Sequence, residues 1–261
     1  MIDFGRLLKR FRTSRLLSQN EFVDLVTHSN AKLVGLDVVT ISRWENKVVV
    51  PTHQRQVEVF HAANQPYFDL VLSNEDLLEY DFDFKLLKKF YVWENTGNIT
   101  LSSVGYKCIE SEDEHGNTLY CILYMDEQGI PIGQLTYRFL PINDFWKIQN
   151  RSKDKIVLDT NAELCLEICS MYCFSDKILP YMLGGVIKKL LLREVNIIGF
   201  SSKNKKSSLK KFLKSIGFKA HREQDEFSSL LLTYHDALYN KELFYCSALM
   251  LGDQGDINVQ D

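Results

Sequence analysis

What this chain of 261 residues lacks limits it before any motif is read. It has no run of about 18 apolar residues, so no segment reads as a membrane span. Arg6, Lys9, Arg10, Arg12 and Arg15 crowd the N-terminus, where a secretory leader would need an apolar stretch. Only 5 prolines and 13 glycines against 45% hydrophobic residues exclude a fibrous or wholly disordered chain. The 6 cysteines do not form the dense framework of a small secreted domain, and the six histidines (28, 53, 61, 115, 221, 235) form no HExxH or comparable metal set. The reading is a cytoplasmic protein with reduced thiols, no metal and no membrane partner.

Charge is unevenly spread, although the net value is only −3. Residues 1–65 carry nine Lys/Arg against six Asp/Glu, and Asp69 to Asp83 holds six acids and no base. Residues 185–222 then hold eleven Lys/Arg against Glu194 alone. The lysines at 203, 205, 206, 210, 211 and 214 read equally as a solvated helix face or as a phosphate-facing patch.

The first seventy residues read as short helices. Phe4, Leu7, Leu8 and Phe11 recur at helical spacing. Ser18-Gln19-Asn20-Glu21 is a capping box opening a second helix, with Phe22, Val23, Leu25 and Val26 inward. Asp37 caps a third from Val38 to Asn46, Thr52 caps a fourth to about Asn64, and Tyr67 to Leu72 makes a fifth.

Beyond Asp69 to Lys89, an acidic and then apolar junction, the period changes. TLYCILYM and IPIGQLTYRFLP, joined by DEQG, read as a β-hairpin. AELCLEICSMYCF is a third strand, on which alternation puts Cys165, Cys169 and Cys173 on one side as buried small hydrophobes. A helix over 176–193, the strand VNIIGFSS, a lysine-rich helix ending in Ile216-Gly217-Phe218, and the strand FSSLLLTYHD complete a β-β-β-α-β-α-β order. That order implies a mixed α/β sheet covered by helices.

Two resemblances follow from these residues. LSQNEF followed by TISRWENK and a proline resembles the Cro/CI-type (XRE family) helix-turn-helix of DNA-binding transcription regulators. It implies a partner, double-stranded operator DNA, with Gln19, Asn46 and Lys47 on phosphates and Val38, Val39, Thr40, Ser42 and Arg43 along the reading helix. It also implies an Arg12–Glu45 ion pair, a core Trp44 and a homodimer. The turn from Thr27 to Asp37 is longer than is usual in that family, bringing Lys32 and His28 forward either as DNA contacts or as parts of a plain surface loop.

The second half resembles the GNAT acyltransferase fold from about residue 85 to 240, which implies acyl-CoA as ligand. The family's glycine-rich pyrophosphate turn is replaced by Cys173-Phe174-Ser175-Asp176-Lys177-Ile178. Its tyrosine acid is Leu213 and its asparagine is Lys206. Leu166-Glu167-Ile168-Cys169-Ser170 resembles the acyl-homoserine-lactone synthases, except that Met171 replaces their arginine.

The expected organisation is an all-α helix-turn-helix domain over 1–72, a junction over 73–90, a GNAT-like α/β (α+β) mixed-sheet domain over 91–245, and a tail over 246–261 whose end is too poor in apolar residues to fold. The expected function is a transcriptional regulator whose second domain dimerises or senses a small-molecule effector, acyl-CoA or another small ligand, with no catalytic residue and acetyl transfer lost. The alternative is an acyl-CoA-dependent N-acyltransferase targeted by its helix-turn-helix.

Overall fold

The computed structural model describes residues 1–78, 105–113, 116–126, 128–145, 164–173, 178–202, 208–224 and 227–249. The expectations for the pyrophosphate-turn positions 174–177, for Lys203, Lys205 and Lys206, and for the tail end 252–261 lie outside the described residues. The chain divides into two compact units, Met1–Asp83 and Phe84–Asp261.

The first unit is helical: α1 Phe4–Ser14, α2 Gln19–Ser29, α3 Val38–Glu45, α4 His53–Ala62 and α5 Tyr67–Leu72. Each of the first four starts where a short polar side chain can accept a first-turn amide: Asp3, Ser18, Asp37 and Thr52. Glu21 completes the capping box by accepting from Ser18 N at 2.7 Å. Phe22 and Val26 of α2 are buried, whereas Leu25 is exposed and Val23 half-buried, so the inward stripe is narrower than the sequence suggests.

Phe4, Phe11, Phe22, Phe60 and Tyr67 pack together, with Trp44 edge-on to Phe4. Gly5 is required there, because a Cβ would lie 2.4 Å from the Trp44 carbonyl oxygen. The long turn carries a 3-10 turn, Ala31–Leu33, pinned by buried Leu33 and Leu36. Arg55 Nη1 donates to the Lys32 carbonyl at 2.6 Å, and His28 Nδ1 contacts the Asp24 carbonyl.

The expected Arg12–Glu45 pair is present. Arg12 Nε and Nη2 reach Glu45 Oε1 and Oε2 at 2.7 and 3.0 Å, while Arg12 Nη1 donates to the Leu17 carbonyl at 2.6 Å. One cation thereby ties α1 to α3 and to the turn before α2.

The second unit is a seven-stranded mixed sheet. Its strands are β1 Gly105–Glu112, β2 Thr118–Met125, β3 Pro131–Pro141, β4 Leu164–Cys173, β5 Ile197–Ser202, β6 Lys219–Gln224 and β7 Phe227–Thr233, in the spatial order β1-β2-β3-β4-β5-β7-β6. β4 and β5 are parallel and every other neighbouring pair is antiparallel. The helices are α6 Leu179–Leu191, α7 Ser208–Ser215, α8 Tyr234–Tyr239 and α9 Lys241–Leu249.

β2, β3, β4, β5 and α6 fall where the patterning places them. The two edge strands do not show in that patterning: GYKCIESE and KAHREQ are too polar to stand out, as edges that must not aggregate tend to be. The strand expected over FSSLLLTYHD stops at Thr233, whose hydroxyl accepts from Asp236 N and opens α8, so His235 and Asp236 are helical.

Cys165, Cys169 and Cys173 do not share one side. The pairing shifts between Thr136 and Tyr137, opposite which Ser170 is followed by Ile168, so Cys169 is the extra residue of a bulge. Cys165 stands opposite Leu140 on one face, and Cys173 opposite Gly133 on the other, where α6 packs Met182. One inserted residue reverses the alternation beyond it.

The Glu45 carboxyl is held below the usual range: burial raises it, and hydrogen bonds from Arg12 and Gln19 outweigh that effect. A carboxyl depressed in the folded state adds stability that is complete above its ordinary value, near 4.5, and drains away as pH falls through the folded value. Melting followed by circular dichroism should therefore lose temperature steadily below pH 4.5 in wild type. Arg12→Met should flatten that slope; an unchanged slope in the variant would show that the pair is not its source.

Candidate active site

The only parallel pair among the described strands sets the site. β4 and β5 are hydrogen-bonded over Cys165–Ile168 and Ile197–Phe200. Beyond that, β4 continues along β3 to Cys173, while β5 continues along β7 to Ser202. The two strands part company at their carboxyl ends, where the chain direction switches between neighbours. In open α/β sheets ligands bind in the crevice at such a switch point.

Residues opposite one another across strands share a face. On the face away from α6 the register brings together Arg138 of β3, Glu167 of β4, and Gly199 and Ser201 of β5. Glu167 is 3% exposed in the middle of an apolar sheet. Its Oε2 receives Arg138 Nε at 2.9 Å and Nη2 at 2.8 Å. Its Oε1 receives the Ser201 hydroxyl.

Arg138 Nη1 also donates to Asp113, at the end of the β1–β2 hairpin. Asp113 is fixed in turn by Asn117 N at 2.8 Å and by the Asn117 side chain. One guanidinium thus stands between two carboxylates, and the cluster carries a net negative charge. Burial works to lower the Arg138 pKa, but the charge and hydrogen bond of Glu167 and the hydrogen bond to Asp113 outweigh it and raise it, so Arg138 stays cationic.

The floor of the site changes character around Glu167. Toward the start of β4, Phe145 covers Cys165 and Ile197 with Ile142 and Leu231 beside them. Gly199 is needed there, because a Cβ would stand 2.5 Å from the Phe145 ring. Toward the end of β4, the residues on the Glu167 face are Ser170 and Tyr172, both exposed, with Gln134 and Thr136 half-buried across β3. The buried carboxylate lies at the boundary between a dry and an open half.

The neighbouring thiols are disfavoured as thiolates. Burial, reinforced by the Glu167 charge, pushes the Cys169 thiol up to about 11 and the Cys165 thiol up to about 12. Leu213, at the position of the GNAT tyrosine, is fully buried in α7. Among the described residues no three His, Cys, Asp or Glu side chains are placed to hold a metal, and no helix is long and apolar enough to cross a membrane.

The residues expected to touch DNA lie on α2, α3 and the turn after it. Gln19 Nε2 donates to Glu45 Oε2 at 2.8 Å, and Lys47 pairs with Asp3 at 2.6 Å. Asn46 Nδ2 turns back to the Ser42 carbonyl at 2.8 Å and to its hydroxyl at 3.3 Å. Val38, Thr40 and Ser42 are half-buried, and Val39 and Arg43 are exposed. Three of the groups assigned to phosphates are thus engaged within their own unit.

No protein family and no curated protein matches the chain. Solved structures do. An acetyltransferase of the GNAT family from Listeria monocytogenes is 15% identical over 43% of this chain, with a TM-score of 0.32, and the chain spans 63% of its length. FeeM, an N-acyl amino acid synthase from uncultured soil microbes, is 9% identical over 51% of this chain and 91% of its own, with a TM-score of 0.36. NAA60 of Arabidopsis thaliana, solved with acetyl-CoA, is 12% identical over 44% of this chain and 75% of its own, at 0.30. The likeness to each of these acyltransferases is partial.

The expected function is not met by them: the structures named are acyltransferases, not sequence-specific DNA-binding transcription regulators of the XRE family. Their likeness concerns fold alone, so the chemistry of this chain rests on its own residues. In the sequence Glu167 stands only within the stretch Leu166–Ser170, with no role implied, and Asp113, Arg138 and Ser201 belong to no motif. The available signal was one acid in LCLEICSM and one base in QLTYRFLP, single opposite charges in two otherwise apolar strands.

Removing one member of a buried ion pair strands the other, at a cost of about 3–5 kcal/mol. Arg138→Met should show that loss in urea unfolding. Adding Glu167→Leu should restore more than about 1 kcal/mol of it, because coupled sites are not additive. Strict additivity of the two changes would mean that they do not interact.

Proposed function

We propose that the second unit is an N-acyltransferase that moves an acyl group from an acyl-CoA thioester to the amine of an acceptor. The observation that carries this reading is a buried carboxylate, Glu167, held in place beside the point where β4 and β5 diverge. An attacking amine must lose a proton as its bond to the thioester carbon forms, and a carboxylate fixed by Arg138 and Ser201 is oriented to receive it. With the nearby thiols held protonated, the acyl group passes directly to the amine rather than through an acyl-cysteine.

The residues fit an extended acyl-CoA. Past Ile168, β4 runs on beyond its last partner on β5, and backbone amides and carbonyls of Cys169–Met171 are of the kind that bind an extended chain lying along a strand. The thioester supplies the activated carbonyl and the thiolate leaving group. Glu167 is the final acceptor of the amine proton and the source of the proton returned to the departing thiolate. Asp113 accepts from Arg138 Nη1 and so holds the guanidinium in place beside Glu167.

The test is to incubate the full chain with acetyl-CoA or octanoyl-CoA and a mixture of the twenty L-amino acids, putrescine and a short peptide, and to read N-acylated products by mass spectrometry. An N-acyl product is expected, and Glu167→Gln should cut its rate by about 10²–10⁴-fold. Absence of product with both donors, together with no calorimetric binding of CoA, would sink the proposal.

A further inference from the structure

Glu167 cannot meet the acceptor directly. It is 3% exposed, its Oε2 is covered by two nitrogens of Arg138, and its Oε1 is covered by the hydroxyl of Ser201. Ser201 is the first residue of β5 past its last pairing with β4, at Phe200, and it is half-buried where Glu167 is buried. Along this face Ser201 is therefore the step between the carboxylate and the end at which β4 and β5 part.

We infer that Ser201 is a proton relay: it takes the proton of the attacking amine on Oγ while passing its own hydroxyl proton to Glu167 Oε1. This rests on the acyl-transfer reading and deepens it by naming the group that meets the amine. The amine nitrogen bonds to the thioester carbon and gives its proton to Ser201 Oγ, while the Ser201 proton goes to Glu167. The carbon–sulfur bond breaks, the thiolate takes a proton back along the same path, and an amide and a free thiol leave. Nothing is oxidised or reduced.

A hydroxyl can relay only if its lone pairs are open while it donates. Ser201 donates to Glu167, and the one hydroxyl directly across the strand pair, Ser229, does not engage it: Ser229 Oγ is buried with no hydrogen-bond partner among the described residues. Arg138 points its donors at Glu167 and Asp113 instead. Among the described residues no donor reaches Ser201 Oγ, so its acceptor side is left for the substrate. Ser229 serves as an internal control, being a serine on the same face that is outside the relay.

The experiment compares wild type, Ser201→Ala, Ser201→Thr and Ser229→Ala with octanoyl-CoA and the amine that gives product, together with calorimetric titration of CoA. Ser201→Ala should lower kcat by about 10–100-fold while KM for the thioester and Kd for CoA stay within about twofold. Ser201→Thr, which keeps the hydroxyl, should restore most of the rate, and Ser229→Ala should match wild type. Near-wild-type kcat in Ser201→Ala would overturn the relay and leave acyl transfer standing. Loss of kcat and of CoA affinity together, in the alanine and threonine variants alike, would assign Ser201 a structural role and also overturn it. A wild type that makes no product removes the acyl-transfer reading itself, and the relay with it.

Discussion

A carboxylate buried in the middle of a sheet is the constraint on which the second unit depends. A bare charge at that depth is so costly that it survives only if paired and hydrogen-bonded. Glu167 meets the condition with elements that are far apart in sequence: Arg138 on β3, Ser201 on β5 and, through Arg138, Asp113 beyond β1. Satisfying one side chain therefore fixes the register of three strands and the end of a hairpin. The same bonds leave the carboxylate oriented rather than mobile, which is what a proton acceptor requires.

Two small features let that polar cluster sit in an apolar layer. Gly199 opposite Glu167 admits the Phe145 ring, which keeps the lower half of the face dry. The bulge at Cys169 turns β4 just after Glu167, where its pairing with β5 ends. A dry wall on one side and diverging strands on the other are the conditions under which a fixed charge acts most strongly on a bound group.

The first unit shows how far local signals reach. Its caps appear where the sequence places them because each depends on spacing within one helix turn, and its Arg12–Glu45 tie and core Trp44 appear as the helix-turn-helix resemblance implies. The same motif implied DNA contact, yet Gln19, Asn46 and Lys47 spend their polar groups on Glu45, Ser42 and Asp3. A motif records which residue types recur. It does not record what their side chains are hydrogen-bonded to.

By itself the sequence determined the elements whose signals are local: five short helices with caps at Ser18, Asp37 and Thr52, the β2–β3 hairpin with its Asp126 turn, the apolar strands β4 and β5, and the helix between them. It also carried the lone charges of Arg138 and Glu167 in apolar strands. Only the tertiary structure decided that these two charges face each other, that Ser201 joins them, and that Cys165 and Cys173 lie on opposite faces. The physical reason is that pairing across strands is a long-range choice of register. A single bulge, invisible in the alternation of residues, reverses every face beyond it.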